Sequence, residues 1–213
     1  MNKKIGVLLP FKDNFTHSKA GSASIWIKDF NRKSSYKKNI YVCGNTNNLK
    51  DLIEKKNYLN IKFSNSAFKS KNKLYIDEFI KLNLKHKFKL IEVHNRPSYV
   101  HRLIEKKINS KIVLIFHNNP INLRGSKTTK ERNILIDKCE KLIFVSNWVK
   151  EKFFEGLSGK NNANCIVIYP SIGALKKLPV KKNIISFVGK LNRSKGFHLF
   201  GKVIVKILNK YKN

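Results

Sequence analysis

Short apolar runs alternate with longer segments of helical period along most of this chain. Residues 4–9 form a continuous apolar run closed by Pro10, which reads as a buried strand. Residues 20–30 follow with helical spacing, and Trp26 and Phe30, four apart, share one face. A second strand is predicted over 39–43. A polar stretch at 45–48 then leads to a predicted helix over 49–56, a short third strand over 61–63 and a helix over 74–87. Three further apolar runs, 89–93, 111–116 and 141–145, read as buried strands with helices over 97–107 and 128–139 between them. Pro97 suits a first helical turn, and Ser146 is placed to cap a helix over 147–155. Residues 164–169 predict one more strand. Strict alternation of strand and helix predicts the α/β class, as a Rossmann-like, doubly wound parallel sheet with right-handed crossovers.

Beyond residue 170 the pattern changes. Residues 171–182, with Gly173, Pro179 and several lysines, read as a linker between a domain over 1–170 and a second segment over 183–213. In that segment an apolar strand over 183–188 runs into Gly189, a short basic turn, and a helix that begins near Gly196. Lys190 and Lys195 flank the turn. Unpaired N–H groups and the positive end of the helix dipole add to these two ammonium charges, a combination that suits an anionic ligand. One strand with one helix cannot bury both faces of the strand, so 183–213 is expected to be an incomplete second Rossmann-like domain.

Composition narrows the function. The chain carries 45 basic and 13 acidic residues, a formal charge of +32, which on its own points toward nucleic acid. Only six of the basic residues are arginine, however, and arginine is the residue that reads guanine or clamps phosphate with two prongs. The lysines are spread over every segment, and most aromatics fall in strands and helix cores rather than between the charges. No specific nucleic-acid partner is expected. An anionic membrane surface is the better electrostatic partner, each nearby lysine contributing on the order of 1 kcal/mol. The apolar runs are too short to span a bilayer, and Met1-Asn2-Lys3-Lys4 leads straight into a strand instead of a signal peptide. Cys43, Cys139 and Cys165 lie far apart without metal spacing and read as reduced core thiols of a cytoplasmic protein, peripheral to a membrane at most.

Ligands of open parallel sheets bind beyond the carboxyl ends of the strands. The residues there are polar. A loop after the first strand ends at Gly21-Ser22-Ala23; His94-Asn95-Arg96-Pro97 follows one central strand, His117-Asn118-Asn119-Pro120 the next, and Ser146-Asn147-Trp148 the one after. Any one of these is an ordinary capped loop. Two histidines and several amides on one rim form a candidate site. No Asp-x-Asp pair is present, so no metal and no cofactor is expected.

The turn Phe187-Val188-Gly189-Lys190-Leu191-Asn192-Arg193-Ser194-Lys195-Gly196 resembles the nucleotide-sugar diphosphate site of the retaining family-four glycosyltransferases of GT-B architecture. The four polar rim segments resemble the pattern of the N-terminal domain in the same family, so the likeness covers nearly the whole chain. Lys190 stands where that family usually has arginine, and Ser22 where it often has a second glycine. The resemblance implies a metal-independent, retaining transfer from a nucleotide-sugar donor to a glycan or lipid-linked acceptor, as in cell-envelope polysaccharide synthesis. It places Lys190 and Lys195 at the donor diphosphate, Gly21 and Ser22 at the donor diphosphate or near the acceptor, His117 at the transferring sugar as the catalytic residue, and His94, Asn95, Arg96 and Asn118 on the acceptor side. Fixed cations would stabilise the departing diphosphate by about 3 kcal/mol per well-placed donor. The family's second domain supplies a paired-glutamate motif that is absent here, so the chain is expected to be truncated. The rival reading is a noncatalytic sugar- or nucleotide-binding remnant.

Overall fold

The computed structural model describes residues 3–158, 163–171, 180, 182 and 184–211. The chain divides into two units, Met1–Ile172 and Gly173–Asn213. In the first unit the apolar runs become seven parallel strands: β1 (Ile5–Leu8), β2 (Ile40–Gly44), β3 (Tyr58–Asn60), β4 (Leu90–His94), β5 (Lys111–Phe116), β6 (Lys141–Phe144) and β7 (Cys165–Val167). They lie in the order β3-β2-β1-β4-β5-β6-β7. The chain therefore winds outward from β1 in one direction and from β4 in the other, which makes the β1/β4 junction a topological switch point. This is the doubly wound α/β fold that the alternation predicts.

Five helices cover the sheet: α1 (Ser22–Lys33), α2 (Lys71–His86), α3 (Pro97–Glu105), α4 (Thr129–Lys138) and α5 (Asn147–Phe154). Their starts follow the local chemistry. The Ser70 and Ser146 hydroxyls accept from Lys73 N and Val149 N, Thr128 and Glu131 form a reciprocal capping box, and Pro97 opens α3. The two faces of β5 are sealed: Ile112 to Phe116 are all buried, and Phe116, Phe144 and Phe153 pack ring to ring at 5.2 to 5.5 Å. All three cysteines are free and buried, and burial pushes the Cys139 thiol up to about 12, so these are packing groups and not nucleophiles. Among the described residues no helix is long and apolar enough to cross a membrane.

Three predicted elements form differently. In place of a helix over 49–56 there is only a 3-10 turn at Leu49–Asp51. The backbone there is committed elsewhere: His17 N donates to Asp51 O at 3.0 Å and Ile53 N to Phe15 O at 3.1 Å, which ties this stretch to the loop after β1 and removes the helical ladder. The third strand lies at Tyr58–Asn60 instead of 61–63, because Tyr58 pairs with Val42 and its ring stacks on Phe15 at 5.8 Å. Ile61 is the buried residue just past its end.

In the second unit the predicted strand over 183–188 does not form. Residue 183 lies outside the described set, and 184–188 carry no strand pairing, with Ile184 N donating to Lys182 O at 2.8 Å and Val188 94% exposed. A strand needs a neighbour to satisfy its amides, and this unit provides none among its described residues. The helix does form, as α6 (Phe197–Lys210), with Gly196 in the left-handed region at φ 76° before it. Phe187 packs on Phe200 at 5.5 Å, while Phe197, Val203 and Leu208 remain exposed. Most of the predicted linker, 172–179 and 181, falls outside the described residues.

Gly6 in β1 marks the tightest backbone approach in the sheet, since a Cβ there would sit 2.5 Å from the ring of buried Phe88. Gly6→Ala is expected to lower the unfolding free energy by about 1–3 kcal/mol through overpacking, measured by urea denaturation with the slope unchanged.

Candidate functional site

Adjacent strands set the site. β4 and β5 pair with His94 opposite Ile115, so His94 closes β4 while His117 follows β5 two positions beyond Ile115. Strand alternation puts Glu92 and His94 on one face, the face that α1 covers with Trp26. The three side chains meet in line. Glu92 Oε1 lies 2.6 Å from His94 Nε2, and His94 Nδ1 lies 3.0 Å from His117 Nε2. Trp26 meets both imidazoles edge-on, at 5.3 Å for His94 and 5.9 Å for His117, and stacks on half-exposed Phe30 at 5.2 Å.

Backbone geometry holds the outer histidine. Asn95 is left-handed at φ 54°, a conformation that asparagine tolerates, and its Oδ1 accepts from the amides of both His117 and Asn118 at 3.3 Å. Arg96 turns back to donate through Nη1 to Asn95 O at 2.9 Å. His94 and Asn95 are thus buried supports, whereas half-buried His117 and exposed Asn118 stand at the surface of the rim. Burial, and secondarily the neighbouring His94, pushes the His117 imidazole down to about 4. His117 is uncharged at neutral pH and can hydrogen-bond a hydroxyl without attracting an anion.

The start of α1 is occupied by the chain itself. Asp13 Oδ1 accepts from Gly21 N at 2.9 Å and from Ser24 Oγ at 2.8 Å, so this carboxylate fills the anion position at the helix N-terminus. A Cβ on Gly21 would lie 2.8 Å from Asp13 Cγ, which is why the close approach needs glycine. Exposed Ser22 stands beside it. Lys190 and Lys195 lie in the second unit, where Asn192 Oδ1 accepts from Lys195 N at 3.1 Å and both lysine side chains are exposed.

Sequence reasoning missed Glu92 and Asp13. Glu92 had a legible signal, a lone carboxylate two residues before a histidine within an apolar strand. Asp13 had none, since its partners are fixed only by the loop's path. A separate cleft of about 350 Å³ opens beside Asn72, Tyr99, His101, Arg102 and Arg124. Its charged groups are largely committed: Arg102 pairs with Asp77 and Glu105, and His101 Nε2 meets Gly125 O at 2.7 Å.

No family model matches the chain. It is 27% identical over 142 residues, 58% of its length and 35% of the relative's, to a Bacillus subtilis (strain 168) protein named Putative glycosyltransferase YtcC. Its fold is similar to that of Anabaena Alr3699/HepE in complex with UDP-glucose, with a TM-score of 0.55 and 18% identity over 79% of this chain and 44% of that one. A glycosyltransferase from Rickettsia africae ESF-5 gives 0.53 and 16%, covering 79% and 43%, and a sucrose-phosphate synthase from Thermosynechococcus elongatus gives 0.51 and 12%, covering 78% and 48%. The chain thus spans less than half the length of these proteins. The likeness shows the fold, a parallel α/β sheet matching GT-B glycosyltransferase structures.

The displaced titration of His117 makes stability depend on pH. Its folded value near 4 lies below the unfolded value of 6.5, so the unfolded chain binds the extra proton first. The stability tied to the neutral ring is present above about pH 6.5 and is lost as pH falls toward 4, a loss of roughly 3 kcal/mol at most. His117→Asn should flatten the melting temperature across that window; an unchanged slope would mean that His117 titrates normally.

Proposed function

We propose that the chain works as part of a metal-independent, retaining glycosyltransferase of the family-four GT-B type, taking a sugar from a nucleotide diphosphate donor to a glycan or lipid-linked acceptor. The observation that carries this reading is the meeting of neutral His117 with Trp26 at the sheet's switch point, where a doubly wound fold binds ligands. An uncharged imidazole beside an aromatic edge suits the hydroxyls and apolar C–H face of a sugar ring. The likeness in fold to a Rickettsia africae glycosyltransferase and to HepE in complex with UDP-glucose supports the same reading.

Within this reading the roles divide by charge. His117 touches the transferring sugar, and Asn118 and Arg96 serve the acceptor side. The Asp13 carboxylate at the start of α1 repels a diphosphate, so Gly21 and Ser22 are better assigned to a hydroxyl-bearing group than to the donor phosphates. Diphosphate contact falls to Lys190 and Lys195, on the basic turn that leads into α6. As the bond from sugar C1 to the diphosphate oxygen breaks, its electron pair goes to the phosphate, where the ammonium groups stabilise the charge, while the acceptor hydroxyl oxygen bonds to C1 and gives up its proton to the departing phosphate. The lysine-rich surface provides for peripheral contact with an anionic membrane.

The test joins this chain to a complete second Rossmann-like lobe and measures sugar transfer and UDP release from UDP-glucose. Lys195→Ala is expected to lower turnover on the order of a hundredfold, while exposed Lys55→Ala leaves it unchanged. Equal rates for Lys195→Ala and the parent would reduce the basic turn to a solvated connection, and binding without transfer would favour a noncatalytic sugar-binding protein.

A further inference from the structure

We infer that Glu92 and His94 are positioning residues that lock His117 as its Nε2–H tautomer and leave its Nδ1 lone pair as the outward acceptor for a ligand hydroxyl. The inference rests on the proposed contact between His117 and sugar, but the hydrogen-bond argument stands on the chain's own geometry.

An ionised carboxylate only accepts hydrogen bonds, so the 2.6 Å contact with Glu92 requires a proton on His94 Nε2. With His94 taken as a neutral ring, its Nδ1 then carries a lone pair; a second proton there would reverse the contact and put the His117 proton on Nδ1, the outcome that overturns the inference. The lone pair faces His117 Nε2 at 3.0 Å, and two lone pairs at that distance would repel. His117 Nε2 must therefore donate. Its own single proton is then spent inward, and Nδ1 is left as an acceptor that meets no protein donor among the described hydrogen bonds.

The surroundings make this arrangement rigid. The His94 side chain is fully buried and that of Glu92 is 16% exposed, so water competes weakly for the inner contact. The edge-on contacts of Trp26 with both rings restrict their rotation, and Asn95 Oδ1 pins the backbone amides of His117 and Asn118. A histidine without such a second partner would exchange tautomers freely, whereas one oriented by a carboxylate through a neighbour presents a single face. The expected ligand group is consequently a hydroxyl that donates to His117, not a phosphate oxygen, which can only accept.

The tautomer can be read directly in the full chain by labelling histidine with nitrogen-15 and recording long-range proton–nitrogen correlations at pH 7. His117 is expected to show one protonated Nε2 and one unprotonated Nδ1, and Glu92→Leu is expected to shift both nitrogens toward the averaged values of a mixture while the fold, checked by circular dichroism, persists. A His117 that carries its proton on Nδ1, or on both nitrogens, in the parent would overturn the inference even if the variant fails to fold. So would an unchanged tautomer in folded Glu92→Leu. Titrating UDP-glucose into the same parent sample separates the two claims: if His117 shows the expected tautomer but its Nδ1 resonance ignores the sugar nucleotide, the relay stands and the sugar-contact reading falls.

Discussion

The pairing of β4 with β5 is the constraint on which the rim depends. His94 sits opposite Ile115, and the side-chain period of two then places Glu92, His94 and His117 on one side of the sheet. A slip of one residue in that ladder would send Glu92 and His94 to the other face and leave His117 without an inner partner. Nothing in the three polar side chains could enforce this register alone. It is favoured by Ile91, Val93, Ile112 and Leu114, which share one buried face in the observed pairing, a face into which a slip would carry the Glu92 carboxylate in place of an apolar side chain. The chemistry of the rim is a by-product of hydrophobic alternation in the strands beneath it.

The same dependence explains why so much of the fold was legible and so little of the site. Parallel strands buried on both faces write themselves as apolar runs, and six of the seven strands fall within a residue or two of the runs that mark them. Three helix starts were equally readable, because Ser146, Thr128 and Pro97 act on their own neighbours, whereas α2 begins at Lys71 behind a Ser70 cap, three residues before the predicted start. The failures are places where distant groups decide. The stretch after Leu49 has adequate helical spacing but gives its backbone to residues 15–17, and residues 184–188 have strand character but no neighbouring strand. The site residues followed the same division. His94 and His117 announced themselves at strand ends, whereas Asp13 acquires its role only because the loop after β1 folds back onto the start of α1.

Charge is distributed in a way that the composition conceals. The chain carries a formal +32, yet its rim site is built from a neutral imidazole, an indole and two carboxylates, Glu92 and Asp13. The described lysines are exposed or partly exposed, and there they raise the local concentration of anions without fixing their orientation. Orientation requires groups held from behind, and those are the ones with partners: Gly21 by Asp13, His117 by His94 and Asn95.

That contrast bears on how a nucleotide sugar would be recognised. A diphosphate needs cations, and a sugar ring needs neutral hydrogen-bonding groups beside an apolar face; one pocket cannot serve both without the charges disturbing the titration of the polar groups. Here the neutral cluster belongs to the first unit, and Lys190, Arg193 and Lys195, with no acidic residue between 184 and 211, belong to the second. His117 remains uncharged at neutral pH in a strongly cationic chain because its burial in the rim, and secondarily the neighbouring His94, lower its affinity for protons.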